Sequence, residues 1–559
     1  MQTGCQTGAA AIAAMTVSAS QTSAPAPAER MPAAPSAYWP GRVPTRLTVP
    51  QTSVWDNIAI NAQRYPDHTA LVFFEQTISY RALVAMTERL AAHLHRVGVR
   101  QGDRVILLMQ NCPQLVIAHY AILRANAVVV PVNPMNTAEE LQHYITDADA
   151  RVAITTADLA TGLAEASRAV PASQQLQHLV ISHFADTMPA DVAQQADFPK
   201  AWAPWLLTEH AAPGAAQLGD CTVATWQQAL QCTDAAPPLT VGPSDMAILP
   251  YTSGTTGKPK GCVHVHSHIL HAALAGGIWG RQTTESVNLV VAPMFHITGM
   301  VSIMHTLLGA GATLVVMPRW DRMLAGSLMT RYRVTHWANI PTMVVDLLAS
   351  PHLAQQDLSS LVYIGGGGAA MPQSVAQRVK DVWGLDYIEG YGMTETCGAS
   401  HANPYEHPKQ QCLGMPHIGM RSLVIDPETL QALPAGEIGE IVVSGPQVLQ
   451  AYWKQPEATA RSFVDVGGTR YFRTGDLGYC DADGYFFLTD RLKRMINASG
   501  YKVWPAEVES LMYRHPAILE ACVIAAKDPY RGETVKAVVV LRSGHPETVT
   551  EQDIIAWCH

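Results

Sequence analysis

The sequence predicts an α/β fold: a large N-terminal domain of several subdomains followed by a small α+β C-terminal domain. Three observations carry this. The chain has 559 residues, too many for one hydrophobic core, so two or more domains are expected. From Ser53 to beyond Arg331, short apolar runs alternate with helical patterns, the signature of largely parallel sheets. After "YFFLTDR" that alternation gives way to one helix pattern and two strand patterns.

Residues 1–46 are rich in Ala, Pro, Ser and Thr and contain "SAPAPAERMPAAPS". Such a composition buries little apolar surface, so a disordered tail is expected. The run "AAAIAAM" is short and no Lys or Arg precedes it, which disfavours a signal peptide. "RVILLMQ" reads as a strand and "PQLVIAHYAILRA" as a helix; "AVVVPVN", "NLVVAP" and "ATLVVMP" read as buried strands. Residues from Ala185 to Pro238, richer in Ala, Pro and Gln, are expected to form a loop-rich insertion. A boundary at Asp490–Lys493 divides a domain of residues 47–490 from one of residues 491–559. In the latter, "PAEVESLMYRH" reads as a helix, and "ILEACVIAA" and "TVKAVVVLR" as strands. No internal repeat of solenoid length is present.

Composition narrows the function classes. Hydrophobic residues make up 48% and charged residues 15% of the chain, ordinary for a soluble enzyme. The formal net charge of −9, without a basic stripe, argues against a nucleic-acid partner. Ten cysteines are scattered with no C-x-x-C pair. That spacing suits reduced thiols in the cytoplasm and supplies no zinc site. No run of about 18 apolar residues occurs, so no spanning helix is expected. Peripheral membrane contact and a homodimer stay open.

The stretch "YTSGTTGKPKG", Tyr251 to Gly261, mixes glycines, hydroxyls and lysines. It is not a Walker loop, because Thr252 stands where the first glycine belongs and Pro259 follows Lys258. Its chemistry still suits a polyphosphate. Gly254 and Gly257 let amides face an anion, hydroxyls from Thr252 to Thr256 donate, and Lys258 adds charge.

The same stretch resembles the phosphate loop of the adenylate-forming superfamily, and further motifs follow in the family's order. They are "PMFHITGM" (Pro293–Met300), "GYGMTET" (Gly390–Thr396), "YFRTGDLGY" (Tyr471–Tyr479) and "DRLKRMINASGYKVWPAEVE" (Asp490–Glu509). Upstream, "NCPQLVIAHYAILRANAVVVPVNP" is also similar, with Asn126 where glycine is usual. The likeness spans roughly residues 50–545 and is nearest to bacterial medium- or long-chain fatty-acid–CoA ligases.

The resemblance implies ATP, Mg2+ and CoA as cofactors, and a reaction in which a carboxylic acid becomes acyl-AMP and then acyl-CoA. Lys258 and Thr255 would stabilise the departing phosphates, with Thr252, Ser253, Gly254, Thr256 and Gly257 completing the loop. Tyr391 would lie against the adenine, Thr394 on the α-phosphate, and Glu395 would be the Mg2+ ligand, a hard oxygen donor suited to that cation. Asp476 would accept the ribose hydroxyls, with Arg491 also reaching the ribose. Gly367, Gly368 and Ala369 would line the adenine and acyl pockets, and His296 would lie between the acyl and nucleotide pockets. Because His296, not Asp, follows Phe295, an amino-acid substrate is disfavoured. Lys493 occupies the family's hinge position, and Gly500 begins the loop lining the pantetheine tunnel.

Other readings stand beside this one. "GGGGAAMP" after a strand pattern fits G-x-G-x-x-A through Gly365, Gly367 and Ala370, with Glu389 downstream; a dinucleotide-dependent oxidoreductase is the distant alternative. An aryl-acid–CoA ligase is the near one, since chain length is set by a few side chains around Gly276–Trp279 and Gly365–Gly368. His264, His266, His268 and His271 have a metal-like composition, but their spacing spans two helix faces, so a structural role is expected. Family members continue by several tens of residues to a lysine loop used in adenylation, whereas here the sequence stops at "VTEQDIIAWCH". Thr550 and Asp553 form an approximate capping box at a last helix. The expectation is a truncated C-terminal domain, with acyl-AMP formation impaired and thiol attack retained; a degenerate nucleotide-binding protein is the remaining alternative.

Overall fold

A computed structural model describes residues 36–208, 219, 221–252, 258–494, 496–498, 501–503, 505–528, 532–542 and 549–558. Among these residues two large sheets dominate. One has nine strands, in the spatial order Met415–Pro416, Gly398–Ala402, Tyr387–Met393, Tyr363–Gly366, His336–Asn339, Val287–Val290, Thr313–Val316, Thr69–Phe73 and Gln76–Ser79. The other has seven: His264–Val265, Met246–Ile248, Val128–Val132, Arg104–Leu108, Val152–Thr156, His178–Ser182 and Thr222–Thr225. Their central strands pair in parallel.

Strands buried on both faces explain the continuous apolar runs in the sequence. In Arg104–Leu108, Val105 and Leu107 face one core while Ile106 and Leu108 face another. The first core fills the space between the sheets, holding Leu71, Leu289 and Leu314 of the larger one. The helix Pro113–Arg124 lies there, with every residue but Arg124 buried, which is why its sequence is apolar all round.

Asn126 has a φ of 62°, a left-handed conformation that asparagine tolerates and most residues do not. Its side chain accepts from the amides of Thr240 at 2.9 Å and Val241 at 3.3 Å, and donates to the Pro238 carbonyl at 2.9 Å. The residue that replaces the usual glycine therefore also fastens the end of the insertion. The insertion itself is less irregular than its composition suggests. Besides short 3-10 turns, it supplies the edge strand Thr222–Thr225 and the helix Trp226–Leu230, which Thr225 and Gln228 cap reciprocally.

A third sheet joins Arg421–Ile425, Gly439–Ser444, Thr469–Cys480 and Phe463–Val466, with Phe486–Arg491 paired to Thr469–Cys480. A single 3-10 turn, Leu492–Arg494, leads from it to the small α+β unit. There Ile496–Ala498, Tyr501–Val503, Ile518–Asp528 and Gly532–Leu541 form a four-stranded sheet beside the helix Pro505–Met512. The last helix, Glu551–Cys558, carries the expected box: the Thr550 hydroxyl and amide both donate to Asp553, and the Asp553 amide donates back to the hydroxyl.

Candidate active site

The phosphate loop is mounted on a short antiparallel stem, in which Thr252 pairs with Lys260 and Tyr251 with Gly261. Ser253, Gly254, Thr255, Thr256 and Gly257 lie outside the described residues. Thr252 is half-buried at the loop's entry and Lys258 is exposed near its exit. The helix Ala138–Ala148 braces both legs. The Tyr251 hydroxyl donates to Asp147 at 2.6 Å, and His143 Nε2 donates to the Pro259 carbonyl at 2.9 Å. Tyr251 is thus committed to the stem.

Thr394 and Glu395 sit in a 3-10 turn that ends the strand Tyr387–Met393. This turn is held from behind. His264 Nε2 donates to the Thr394 carbonyl at 2.8 Å. The Gln447 amide group donates to the carbonyls of Thr396 and Ala399, both at 2.8 Å. The His271 ring donates to the Gln447 oxygen at 3.0 Å, and His268 contacts the second ring nitrogen of His264 at 3.2 Å. His266 Nδ1 accepts the Val54 amide at 3.1 Å. All four histidines are buried, and burial lowers the pKa of each, that of His264 to about 3. His264, His268 and His271 are neutral struts behind the Thr394–Thr396 turn, and His266 ties its helix to Val54.

Glu395 is half-buried, and its Oε1 accepts the Tyr452 hydroxyl at 2.8 Å. Among the described residues no hydrogen bond engages Oε2, and no cluster of three or more His, Cys, Asp or Glu forms a cation cage. One available carboxylate oxygen fits Mg2+, which proteins usually hold by one or two carboxylates together with substrate phosphates and water.

Tyr391, Asp476 and Arg491 converge although they are far apart in sequence. The Tyr391 hydroxyl donates to Asp476 Oδ2 at 2.5 Å, and Arg491 Nε lies 3.1 Å from Asp476 Oδ1. Register places Arg491 directly opposite Asp476 across the strand pair. Burial pushes the Asp476 carboxyl upward, while Tyr391 and Arg491 pull it back. A carboxylate offers about four lone-pair positions, so it retains capacity for ribose hydroxyls.

The glycine segment has a different logic from a dinucleotide turn. Residues 367–372 intervene between the strand Tyr363–Gly366 and the helix Gln373–Trp383, so no glycine turn opens that helix. Glu389 accepts the amides of Met371 at 2.9 Å and Gln411 at 2.6 Å, which commits it to anchoring the segment. A Cβ on Gly366 would stand 1.8 Å from the Asn339 carbonyl, and one on Gly367 2.5 Å from that of Gly390. Gly368 and Ala369 are exposed. The oxidoreductase reading is therefore discarded.

His296 is exposed, and its ring lies 4.7 Å from that of Phe295 between centroids, tilted by 48°; partial desolvation lowers its pKa. It precedes a π-helix, Thr298–His305. Trp279 turns away from the expected acyl region, donating to the Asn403 carbonyl at 3.0 Å and packing with Ile418. The Lys493 backbone lies in the 3-10 turn, and Gly500 is outside the described residues. Tyr452, Gln447 and Asp147 escaped the sequence reading because their partners are remote in the chain.

The sequence pattern of the AMP-binding enzyme family matches residues 58–453, and that of the AMP-binding enzyme C-terminal domain matches residues 507–559. The chain is 33% identical over 526 residues to a long-chain-fatty-acid–CoA ligase of Bacillus subtilis (strain 168), covering 93% of this chain and 91% of that one. It is 32% identical over 498 residues to a feruloyl-CoA synthase of Amycolatopsis sp, covering 89% and 90%. Among solved structures it resembles ATP-bound MatB from Rhodopseudomonas palustris, with 27% identity, a TM-score of 0.71, and coverage of 90% and 92%.

Proposed function

The chain belongs to the AMP-binding enzyme family, and on that premise we propose that it is an AMP-forming acid–CoA ligase. It activates a carboxylic acid with ATP to acyl-AMP, and then transfers the acyl group to CoA. The observation that carries this reading is the junction of Tyr391, Asp476 and Arg491, with Glu395 in the 3-10 turn that follows the strand of Tyr391. It joins an aromatic face to a buried carboxylate suited to ribose hydroxyls, and the chain runs on from Tyr391 to a carboxylate suited to Mg2+.

Each residue has a task. The Tyr391 ring offers a face to adenine, and Asp476, oriented by two partners, accepts the ribose hydroxyls. Thr394 and Lys258 meet the phosphates, where one well-placed donor typically contributes ~10²–10³ in rate. Glu395 would hold Mg2+, which would supply charge neutralisation on the phosphates. His296 separates the nucleotide from the acyl group. Lys493 and Gly500 serve the second half-reaction, through the turn and the pantetheine loop.

We propose a fatty acid as the acyl group. The likeness to the Bacillus ligase supports it. A cinnamic-type aryl acid is the second reading, favoured by the 32% identity to the feruloyl-CoA synthase. Pyrophosphate release, measured over saturated acids of graded length and over hydroxycinnamic acids, with and without CoA, tests both. Turnover rising with chain length supports the first, and turnover confined to aryl acids supports the second. Absence of acid-dependent pyrophosphate release across the series would discard the ligase.

A further inference from the structure

Residues 449–453 run between two motifs that the reaction needs together. On one side, the Trp453 amide donates to the Gly261 carbonyl at 2.8 Å, and the Val263 amide donates to the Ala451 carbonyl at 3.0 Å. These bonds tie the segment to the return leg of the phosphate loop. On the other side, the Leu449 amide donates to the Glu395 carbonyl at 2.8 Å. Tyr452 stands between them and is 6% exposed. Its ring packs with Cys262, Leu449 and Phe472, and the Lys260 ammonium lies 4.7 Å from the ring centroid. Its hydroxyl reaches out of this apolar setting to Glu395 Oε1 at 2.8 Å.

We propose that Tyr452 is a positioning residue for Glu395: its hydroxyl fixes Oε1 so that Oε2 is presented, already oriented, to the magnesium that accompanies ATP. The inference rests on the reading of Glu395 as the Mg2+ ligand. A glutamate has three rotatable side-chain bonds, and an unrestrained one must be ordered when the cation binds. A phenol is a donor across the neutral range, so the Tyr452 hydroxyl holds one oxygen without competing for the metal. The ring supplies rigidity, because its core neighbours and the Lys260 ammonium over it leave it little freedom. Outer-shell hydrogen bonds of this kind typically contribute 10–100-fold to metal affinity. The same segment hydrogen-bonds to Gly261, so the distance from the phosphate loop to the metal ligand is set by one short piece of chain.

The test uses the full chain without acid or CoA and measures ATP binding calorimetrically during a magnesium titration and again in EDTA. Tyr452→Phe keeps the ring and removes the hydroxyl. The expected result is about a 10-fold rise in the Mg2+ concentration needed for half of the metal-dependent binding, with ATP binding in EDTA and thermal stability close to the parent's. Glu395→Ala is the reference and should abolish the magnesium response. If Glu395→Ala loses the response while Tyr452→Phe titrates like the parent, the positioning role is wrong and the ligand assignment stands. If Tyr452→Phe weakens ATP binding equally in EDTA, the hydroxyl serves general packing and the inference is overturned. If Glu395→Ala retains the response, the ligand assignment itself fails and the inference fails with it.

Discussion

The Tyr391 hydroxyl lies 2.5 Å from Oδ2 of Asp476 and joins the ring expected under adenine to the carboxylate expected under ribose. Tyr391→Phe keeps the aromatic face and frees Asp476 from one of its two partners. A hydrogen bond to a charged group contributes about 1.5–3 kcal/mol, part of which Arg491 retains. The expected outcome is a rise of roughly 3–10-fold in the KM for ATP, from ~0.7–1.4 kcal/mol of lost orientation, with kcat little changed. Asp476→Ala should cost more, because it removes the acceptor itself. Steady-state kinetics at saturating acid and CoA decide it; equal KM in Tyr391→Phe and the parent would show that the contact does not prepare the ribose site.

Stability should fall on acidification from the neutral range. Burial lowers the pKa of His119, His264, His401 and His417 from 6.5 to about 3, and that of His268 to about 4. His119 and His305 sit with their Nε2 atoms 2.9 Å apart, and Tyr120 contacts the other His305 nitrogen, so protonating both rings would set two charges side by side. The unfolded chain takes up these protons near pH 6.5, whereas the folded chain resists until about pH 3–4. The stabilisation is therefore fully present above pH 6.5 and lost as pH falls through that window, by about 1.4 kcal/mol per pH unit for each such histidine. Urea midpoints measured from pH 8 to 5 should be flat above pH 7 and drop below pH 6. A midpoint unchanged down to pH 5 would mean that these rings are not buried neutral.

What could be read from the sequence divides along physical lines. Arg104–Leu108 and Val128–Val132 were legible because strands buried on both faces need unbroken apolar runs. The roles expected of Thr394, Glu395, Asp476 and Arg491 came only from the order of motifs, since nothing local tells a solvated carboxylate from a ribose acceptor; the 3-10 turn and the pairing of Asp476 with Arg491 were not legible. Thr222–Thr225 was hidden, because four residues at a sheet edge, none of them buried, leave no pattern. The π-helix Thr298–His305 was hidden too, as eight residues are too few to separate its period from that of an α-helix. His264 and Gln447 serve backbone carbonyls 130 and 51 residues away, and no spacing rule reaches that far.

Asn126 offers a test of backbone against side-chain roles. Asn126→Gly keeps the conformation at φ 62° and loses three hydrogen bonds to residues 238–241. At about 0.5–1.5 kcal/mol each, partly offset by water, the expected loss is ~1–2 kcal/mol. Asn126→Val loses the same bonds and adds the strain of a branched residue in the left-handed region, a further ~1–3 kcal/mol. Chemical denaturation should rank the parent above Gly and Gly above Val. If the Gly variant matches the parent, the clasp on the insertion contributes nothing to stability.

Lys493 lies in the turn Leu492–Arg494, between the last strand of the third sheet and the first strand of the small unit. Arg494 spans that turn, pairing with Asp490 on one side and Glu509 on the other. In the proposed reaction the backbone here would absorb a rotation between adenylation and thiol attack. Lys493→Pro fixes φ near −65° and also steers Leu492 away from helical angles, so it opposes the turn as well as its rotation. One half-reaction should then fall by an order of magnitude or more relative to the other, whereas Lys493→Ala, which leaves φ free, should not separate them. Acyl-AMP formation without CoA and CoA-dependent consumption of synthetic acyl-AMP, each followed in a single turnover, measure the two halves. Small and equal losses in both would place the hinge elsewhere, because a swivel at this residue cannot be stiffened without favouring one pose over the other.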